Sequence, residues 1–452
     1  MGKLLPSLRA GSGSRLFVHC GTSVGYLAEL SASSPCVERY AERALLLADR
    51  KDIVCVTEEV EQDYLEYMAG LGVGPDDHNL IVTSRFENRG GPLWERLLES
   101  EEALAVLGCR MRLEGTTQLH PFISTAGQFD LARALSDKTG TPVRVIGGDP
   151  DFVAYADGKH HIRARALELG VPVAPGEIVN LGDNERGRQQ DYAALRSALK
   201  RQAGNTGRVI VRGASGAAGS ATFIGSDTPV DLDALAGWLS QRTDNRIYLV
   251  EALVDMVASP NVQIHISPEG STECVGMSDQ LLDPGLSHQG NAHPSTARCT
   301  EDMIQWATTL GEWLGDTGYT GIAGFDFVEY IAPDGTRKAF LAELNPRVNG
   351  ATYPLVVRER LDPASAFVSG TIGTEIGSFA ELRERLPHLL YSREREYGIL
   401  PYMTGCLAFG ACGVIALAPS RFEAAELFAE AELSLGAATL AGEPVGSLAG
   451  TS

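Results

Sequence analysis

Apolar and polar positions alternate in short runs along the first third of the chain. RLFVHCGTSVG and DIVCVTEE read as buried strands, and CVERYAERALLLADR between them carries its apolar residues at helical spacing. With EALAVLG and PVRVIGG further on, residues 1–150 read as a β-α-β type unit on a mostly parallel sheet. The glycines of CGTSVG lack the GxGxxG spacing and no acidic residue stands at the expected distance after a second strand, so they are read as turning the chain.

From about residue 151 the texture changes. ADGKHHIRARALELGVPVAPGEIV predicts a helix from about Gly158 to Leu169, stopped by Gly170 as C-cap. Lys159 falls in its first turn, the wrong end for a cation in the helix dipole. Either an anion lies nearby or the lysine is exposed. RVIVRGASGAAGSATFI (208–224) reads as an apolar strand, a loop of small residues and a returning strand. Backbone amides at Gly213, Gly216, Gly219 and Ser220 can cradle phosphate oxygens, and Arg212 at the strand end can meet a phosphate as a forked donor. The loop is not a Walker loop, since no GK[ST] follows; a hairpin tip without a ligand is the alternative. NRIYLVEALVDM (245–256) is a further strand, ending in Glu251 and Ala-Leu-Val, where Leu253 and its neighbours can offer backbone groups to the edge of a base.

GIAGFDFVEYIAPDGTRKAFLAELNPR predicts a β-hairpin turning at Pro-Asp-Gly-Thr, 333–336. With Asp334-Gly335 as central turn residues, Asp326 falls opposite Glu343. Like charges opposed across a ladder are destabilising, and burying them unpaired costs several kcal/mol each. A divalent cation resolves the conflict. Asn345 lies on the same face, so Asp326, Glu343 and Asn345 supply hard oxygen donors of the kind Mg²⁺ takes, and Arg347 continues the alternation toward a phosphate. The other outcome is a solvated hairpin face. The C-terminal RFEAAELFAEAELSLGA predicts an amphipathic helix packing on the preceding apolar strand.

Composition narrows the function classes. The chain has 452 residues, 44% hydrophobic and 21% charged, an ordinary globular balance. Its formal charge of -20 argues against a standing electrostatic grip on nucleic acid or an anionic membrane, so any phosphate site is built locally. No run approaches the roughly 20 apolar residues of a membrane span, and the N-terminus lacks the apolar core of a signal peptide. The 8 cysteines are scattered without CxxC or zinc-like spacing, which suits reduced, mostly buried thiols in a cytoplasm.

Together Glu343-Leu-Asn345-Pro-Arg347, the preceding GIAGFDF, the glycine-rich loop and Lys159 resemble the ATP-grasp superfamily over roughly residues 151–375. The resemblance implies an α/β protein: a Rossmann-like pre-ATP-grasp domain at 1–150, an ATP-grasp fold of two α+β subdomains at 151–375, and a small C-terminal domain at 376–452. It implies ATP and Mg²⁺ as cofactors. Glu343, Asn345 and Asp326 match the metal ligands, Arg347 the arginine that ends the motif, and Lys159 the first nucleotide lysine. Arg212 stands where the family usually has a second lysine, and Glu251 to Leu253 match the adenine hinge. SPNVQIHISPEG, GMSDQLLDPGLSHQGNAHPS and GILPYMTGCLAFGACGVIALAPS are similar to the peptide ligases of pheganomycin biosynthesis and their relatives. That likeness implies joining an amino-acid-like carboxylate, a guanidino-bearing one among the candidates, to the N-terminal amine of a peptide through an acyl phosphate. Gln280, His288, Asn291 and His293 would lie on a polar loop, either shaping the acceptor site, with Gln280 and His288 as catalytic candidates, or forming an ordered insertion. A cytoplasmic enzyme without nucleic-acid or membrane partners is expected, with a homodimer as a candidate assembly. The alternatives are another carboxylate-amine ligase or carboxylase, and a nucleotide-binding regulatory protein without turnover.

Overall fold

Short apolar runs that bury on both faces suit a parallel sheet covered by helices. The computed structural model describes residues 13–23, 35–87, 90–181, 185–214, 222–225, 232–240 and 246–436. In it β1 (Arg15–Val18), β2 (Ile53–Val56), β3 (Leu80–Val82), β4 (Gln118–Pro121) and β5 (Arg144–Val145) form a 5-stranded parallel sheet ordered β3-β2-β1-β4-β5. Two local details depart from the simple pattern. CVERYAERALLLADR gives a 3₁₀ helix, Pro35–Leu46, and EALAVLG lies inside the α-helix Glu101–Glu114, whose N-cap Ser100 accepts from the Ala103 amide.

A second, antiparallel sheet has 4 strands: β6 (Gly176–Asn180), β7 (Val209–Gly213), β8 (Thr222–Gly225) and β9 (Ile247–Ala252), in the order β6-β9-β7-β8. Val179, Val211 and Val250 on this sheet pack against Leu195 and Leu199 of the Glu185–Thr206 helix. Gly216, Gly219 and Ser220 of the expected glycine-rich loop lie outside the described residues.

The third sheet has 9 strands: β10 (Met256–Ala258), β11 (Pro260–Ile266), β12 (Thr272–Leu282), β13 (His288–His293), β14 (Gly321–Ile331), β15 (Arg337–Asn345), β16 (Ala366–Gly373), β17 (Gly398–Tyr402) and β18 (Ala411–Ala418). The order is β10-β14-β11-β12-β13-β16-β18-β17, with β15 on the other edge of β14. The 276–298 segment is therefore not the loop its polarity suggested; most of it is sheet. Among its polar side chains, buried Asp279 accepts from the Thr296 amide at 2.8 Å and from Arg421.

Residues from 376 onward add β17, β18 and the Arg421–Leu435 helix to this same sheet. That helix buries Ala424, Leu427, Ala431 and Leu435, one stripe at helical spacing, against β16 and β18, as its pattern predicts. One continuous core holds Phe17 and Val54 of the first sheet together with Leu400 and Ile415 of the third. The N-terminal unit and the chain's last strands are thus packed as neighbours. Among the described residues, no helix is long and apolar enough to cross a membrane.

Candidate active site at the meeting of two clefts

The hairpin of β14 and β15 places Asp326 directly opposite Glu343, the register expected from the sequence, but by a different route. The turn is not the two-residue one. Ala332 and Thr336 pair at 2.8 Å around a loop in which Gly335 takes φ +78, the left-handed conformation that closes a three-residue hairpin loop. That loop alone would put the ladder one residue out of step. A bulge at Ala342, between the pairs Phe327↔Leu341 and Asp326↔Glu343, restores it. Both carboxylates then look out on the face away from the buried Phe325 and Phe327.

The environments of the two carboxyls differ. Burial, and then the charge of Glu343, push the Asp326 carboxyl up to about 6. For Glu343 burial acts in the same direction, but the charges of Lys159, Arg347 and Arg212 outweigh it and hold the carboxyl below its usual range. Lys159 Nζ lies 3.1 Å from Glu343 Oε1 and the lysine is only 8% exposed, so an anion does stand near its unfavourable helix position. Its helix runs Lys159–Glu168, with Gly170 at φ +74 just past the end. Asp326 accepts from Asn261 Nδ2 and from Asn345 Nδ2, the latter at 3.0 Å. Asn345 Oδ1 accepts from Arg347 Nη2 at 2.6 Å, and Arg347 also pairs with Asp157 at the end of the preceding helix.

Arg212 and Glu251 form a second cluster. Arg212 donates from Nη2 and Nε to Glu251 Oε2 at 2.6 and 2.9 Å, and from Nη1 to the Ala342 carbonyl at 3.1 Å. The bulge therefore does two things at once: it resets the register and frees a carbonyl for this arginine. Arg163 holds the other oxygen of Glu251 at 2.9 Å and anchors itself on the Ala174 and Gly176 carbonyls. Burial works against the charge of Arg212, and Glu251, Glu343 and Asp326 more than compensate. The Glu251 side chain is thus engaged by arginines, and what it leaves open is the segment that follows, where the Leu253 amide bonds the Arg208 carbonyl at 3.2 Å.

Two clefts share Asp326, Glu343 and Gln280 as common wall. The first, about 380 Å³, runs between the 4-stranded and 9-stranded sheets. Lys159, Arg212 and Glu251 line it at one side and Ile210, Ile224, Leu253, Met256, Val328 and Phe340 supply apolar walls. The second, about 310 Å³, is polar and is lined by His288, Asn291, Asn345, Arg347 and Asn349, with Tyr40 and Arg43 from the N-terminal unit. Burial lowers the His288 pKa, so its imidazole is neutral near pH 7. Of the described candidates from the sequence, Lys159, Arg212, Gly213, Glu251, Leu253, Gln280, His288, Asn291, Asp326, Glu343, Asn345 and Arg347 line one or both clefts; His293 lines neither, because its Nδ1 is 2.9 Å from the Met277 carbonyl oxygen and its ring stacks on Phe367.

Sequence reasoning passed over several residues that hold this arrangement. Asn261, Gln263 and His265 alternate with apolar residues on β11; Gln263 Nε2 donates to Asn349 Oδ1 at 3.0 Å and Gln263 Oε1 accepts from Thr352 at 2.8 Å. That period-two polarity in NVQIHI was a usable signal. Arg163, Asp157 and Arg43 carried none, because their partners lie far away in sequence.

A parallel unit followed by two antiparallel sheets enclosing a cleft is the ATP-grasp arrangement, and the fold of this chain is of that class. Residues 41–136 match the family model described as the pre-ATP-grasp domain. Three solved structures agree along almost their whole length. Biotin carboxylase from Campylobacter jejuni, in a β,γ-ATP complex, superposes with a TM-score of 0.56 at 12% identity, covering 94% of this chain and 91% of that one. N5-carboxyaminoimidazole synthetase from Staphylococcus aureus, complexed with ADP, gives 0.53 at 12% identity over 93% and 97%. Carboxyaminoimidazole ribonucleotide synthase from Aspergillus clavatus, complexed with ATP, gives 0.53 at 12% identity over 94% and 98%. At that identity the likeness is one of fold. Comparison with curated proteins by sequence gives no match.

Proposed function

We propose that the chain is an ADP-forming, ATP-dependent carboxylate-amine ligase that makes a peptide bond between an amino-acid-like carboxylate and the N-terminal amine of a peptide, as the peptide ligases of pheganomycin biosynthesis do. The observation that carries this reading is the meeting of an apolar, cation-edged cleft with a polar one at a single pair of opposed carboxylates. ATP occupies the first, its base between Ile210, Leu253 and Met256 and its phosphates toward Lys159 and Arg212. Gly216, Gly219 and Ser220 are assigned to the phosphates on sequence alone. The substrates occupy the second cleft.

The opposed carboxylates Asp326 and Glu343 suit Mg²⁺, with burial and then the Glu343 charge disfavouring the bare Asp326 anion; Asn345 would join them by turning its amide oxygen from Arg347 toward the metal. When bound, Mg²⁺ would neutralise phosphate charge and hold the transferring group in line. The protein's residues do the rest. A carboxylate is a poor electrophile, so its oxygen takes the γ-phosphoryl group of ATP, giving an acyl phosphate and ADP. Lys159, Arg212 and Arg347 offset the charge that develops in this step. The amine then attacks the acyl carbon, phosphate departs, and the proton shed by nitrogen passes to neutral His288, with Gln280 orienting the reactants from the shared wall. Holding both partners in one geometry supplies much of the rate. No Ser-His-Asp grouping enters the scheme, and no covalent enzyme intermediate is proposed.

The test is ADP and phosphate release from purified protein with Mg-ATP over pools of amino-acid carboxylates, with and without peptide amines, and with bicarbonate. A product lighter by one water than its two substrates, absent with Glu343→Ala, is the expected outcome. ADP formation with bicarbonate and an amine would make the protein a carboxylase. ATP bound without turnover in any pool would favour a regulatory role. A cytoplasmic homodimer belongs to the same proposal, and sedimentation at the mass of one chain would count against the dimer.

A further inference from the structure

Arg43 belongs to the N-terminal unit, on the Pro35–Leu46 helix, yet it lines the second cleft. Its guanidinium carbon stands 4.0 Å from the Tyr40 ring centre and 5.8 Å from that of Tyr353, and Nε meets the Met403 sulfur at 3.0 Å. Tyr353 and Tyr402 line the same cleft. Among the described residues no carboxylate lies within ion-pair distance of Arg43, whereas the other two arginines of the site are tied to Glu251 and Asp157. A thioether is a weak acceptor and an aromatic face takes no forked hydrogen bond, so most of the five guanidinium donors remain for a ligand. The Arg43 charge also reaches His288 across the cleft, where it adds to the lowering of that pKa.

A second observation is independent of Arg43. Asn291 Oδ1 and Asn349 Nδ2 are buried without a hydrogen-bond partner, and both residues line this cleft. The Asn349 amide orientation is set by Gln263 Nε2 and the Ala351 amide, which both donate to Oδ1 at 3.0 Å and so leave Nδ2 as a free donor. Buried polar atoms of this kind carry a desolvation cost until a ligand meets them. One acceptor and one donor are what an amide-bearing or amine-bearing ligand would satisfy.

We infer that Arg43, walled by Tyr40 and Tyr353, anchors a compact oxyanion on the amine-bearing substrate, a carboxylate or a phosphate. The inference rests on the ligase reading for which substrate it is, since the carboxylate to be activated must lie beside Asp326, Glu343 and Arg347. A short peptide would present its own C-terminal carboxylate to Arg43 and its free amine to the acyl phosphate. The fork of the guanidinium suits two oxygens held in one plane, and the tyrosine faces hold the fork flat. Specificity then comes from charge at one end of the cleft and chemistry at the other.

Calorimetric titration of the full chain, saturated with Mg²⁺ and a non-hydrolysable ATP analogue, tests this without turnover. The probes are di- and tripeptides as free acids, the same peptides as C-terminal amides, and aminoalkyl phosphates. Tighter binding of free acids than of their amides, by tenfold or more, is expected if the anion is a carboxylate; the phosphates would lead if it is a phosphate. Arg43→Met should remove the preference while leaving analogue binding unchanged, and Arg43→Lys should retain part of it. Equal binding of acids and amides, no binding of any anionic probe, or a preference that survives in a folded Arg43→Met protein would overturn the inference. Failure of the ligase reading would show separately, as absent ADP formation beside intact anion preference.

Discussion

Glu251 is 2% exposed and is gripped by Arg212 on one oxygen and Arg163 on the other. Deleting one partner of a buried ion pair leaves charge uncompensated and costs roughly 3–5 kcal/mol. Glu251→Ala is therefore expected to lose stability in that range in urea unfolding and to raise the KM for ATP; a stability loss under 1 kcal/mol would mean water already screens the arginines. Glu343→Ala should behave differently, with kcat falling by about 10²–10³-fold and little change in melting temperature, because the residue is partly exposed and works on charge at the cleft. Glu42 provides a pH readout. Burial pushes its carboxyl from 4.5 up to about 7, against the opposing pull of the Gly405 amide and Arg39. A carboxyl raised by folding favours the protonated form, so its contribution is whole below pH 4.5 and lost as pH climbs through about 7. Glu42→Gln should gain on the wild type by on the order of 3 kcal/mol across that window, measured by urea unfolding at a series of pH values; parallel pH curves would disprove the shift. At this scale the sequence named the residues with chemistry. It missed their holders, Arg163 and Asp157, because nothing local marks a cation or carboxylate whose partner lies tens of residues away.

The hairpin of β14 and β15 is the element that brings the carboxylates together, and its register was legible for a reason that proved incomplete. A three-residue loop and a bulge at Ala342 offset each other, so the expected facing of Asp326 and Glu343 survived an incorrect turn. Gly324 matters on the same strand. A Cβ there would fall 1.9 Å from Asn349 Nδ2 and also too close to the Gln263 and Asn261 amide nitrogens, at 2.9 and 3.0 Å, so that these side chains must shift. Gly324→Ala is expected to cost about 1–3 kcal/mol in unfolding free energy and to weaken Mg²⁺-dependent nucleotide binding by displacing Asn261 from Asp326; wild-type values for both would show that the amide network can shift aside. The 276–298 segment illustrates the opposite failure. Its glycines and polar residues read as loop, yet Gly290 packs its backbone on Ser369, where a Cβ would lie 1.8 Å from the carbonyl oxygen. A strand that must approach another backbone closely needs glycine, and glycine in a sequence looks like a turn.

Across the whole molecule, the second cleft draws on the N-terminal unit for Tyr40 and Arg43, on the central strands for His288 and Asn291, and on the last strands for Tyr402. A ligand that binds between elements so far apart in sequence stabilises them jointly. On the ligase reading, ATP in the first cleft, between the 4-stranded and 9-stranded sheets, should likewise raise the melting temperature only when Mg²⁺ is present, the mass-action stabilisation being about 2.7 kcal/mol at 100 times Kd. Glu343→Ala should lose the Mg²⁺ dependence in a thermal shift assay, and an equal shift with ATP alone would place the metal elsewhere. What the sequence by itself determined was the kind of element its strongly periodic runs form and the presence of an acid, amide and arginine in strand rhythm, since those follow from period, turn chemistry and charge within a few residues. The tertiary structure alone decided that the final strands complete the nine-stranded sheet, that Glu251 is shared by two arginines, and that Arg43 reaches a cleft three hundred residues downstream in the chain. Those outcomes depend on which apolar faces cover one another, a long-range packing choice that no local pattern encodes.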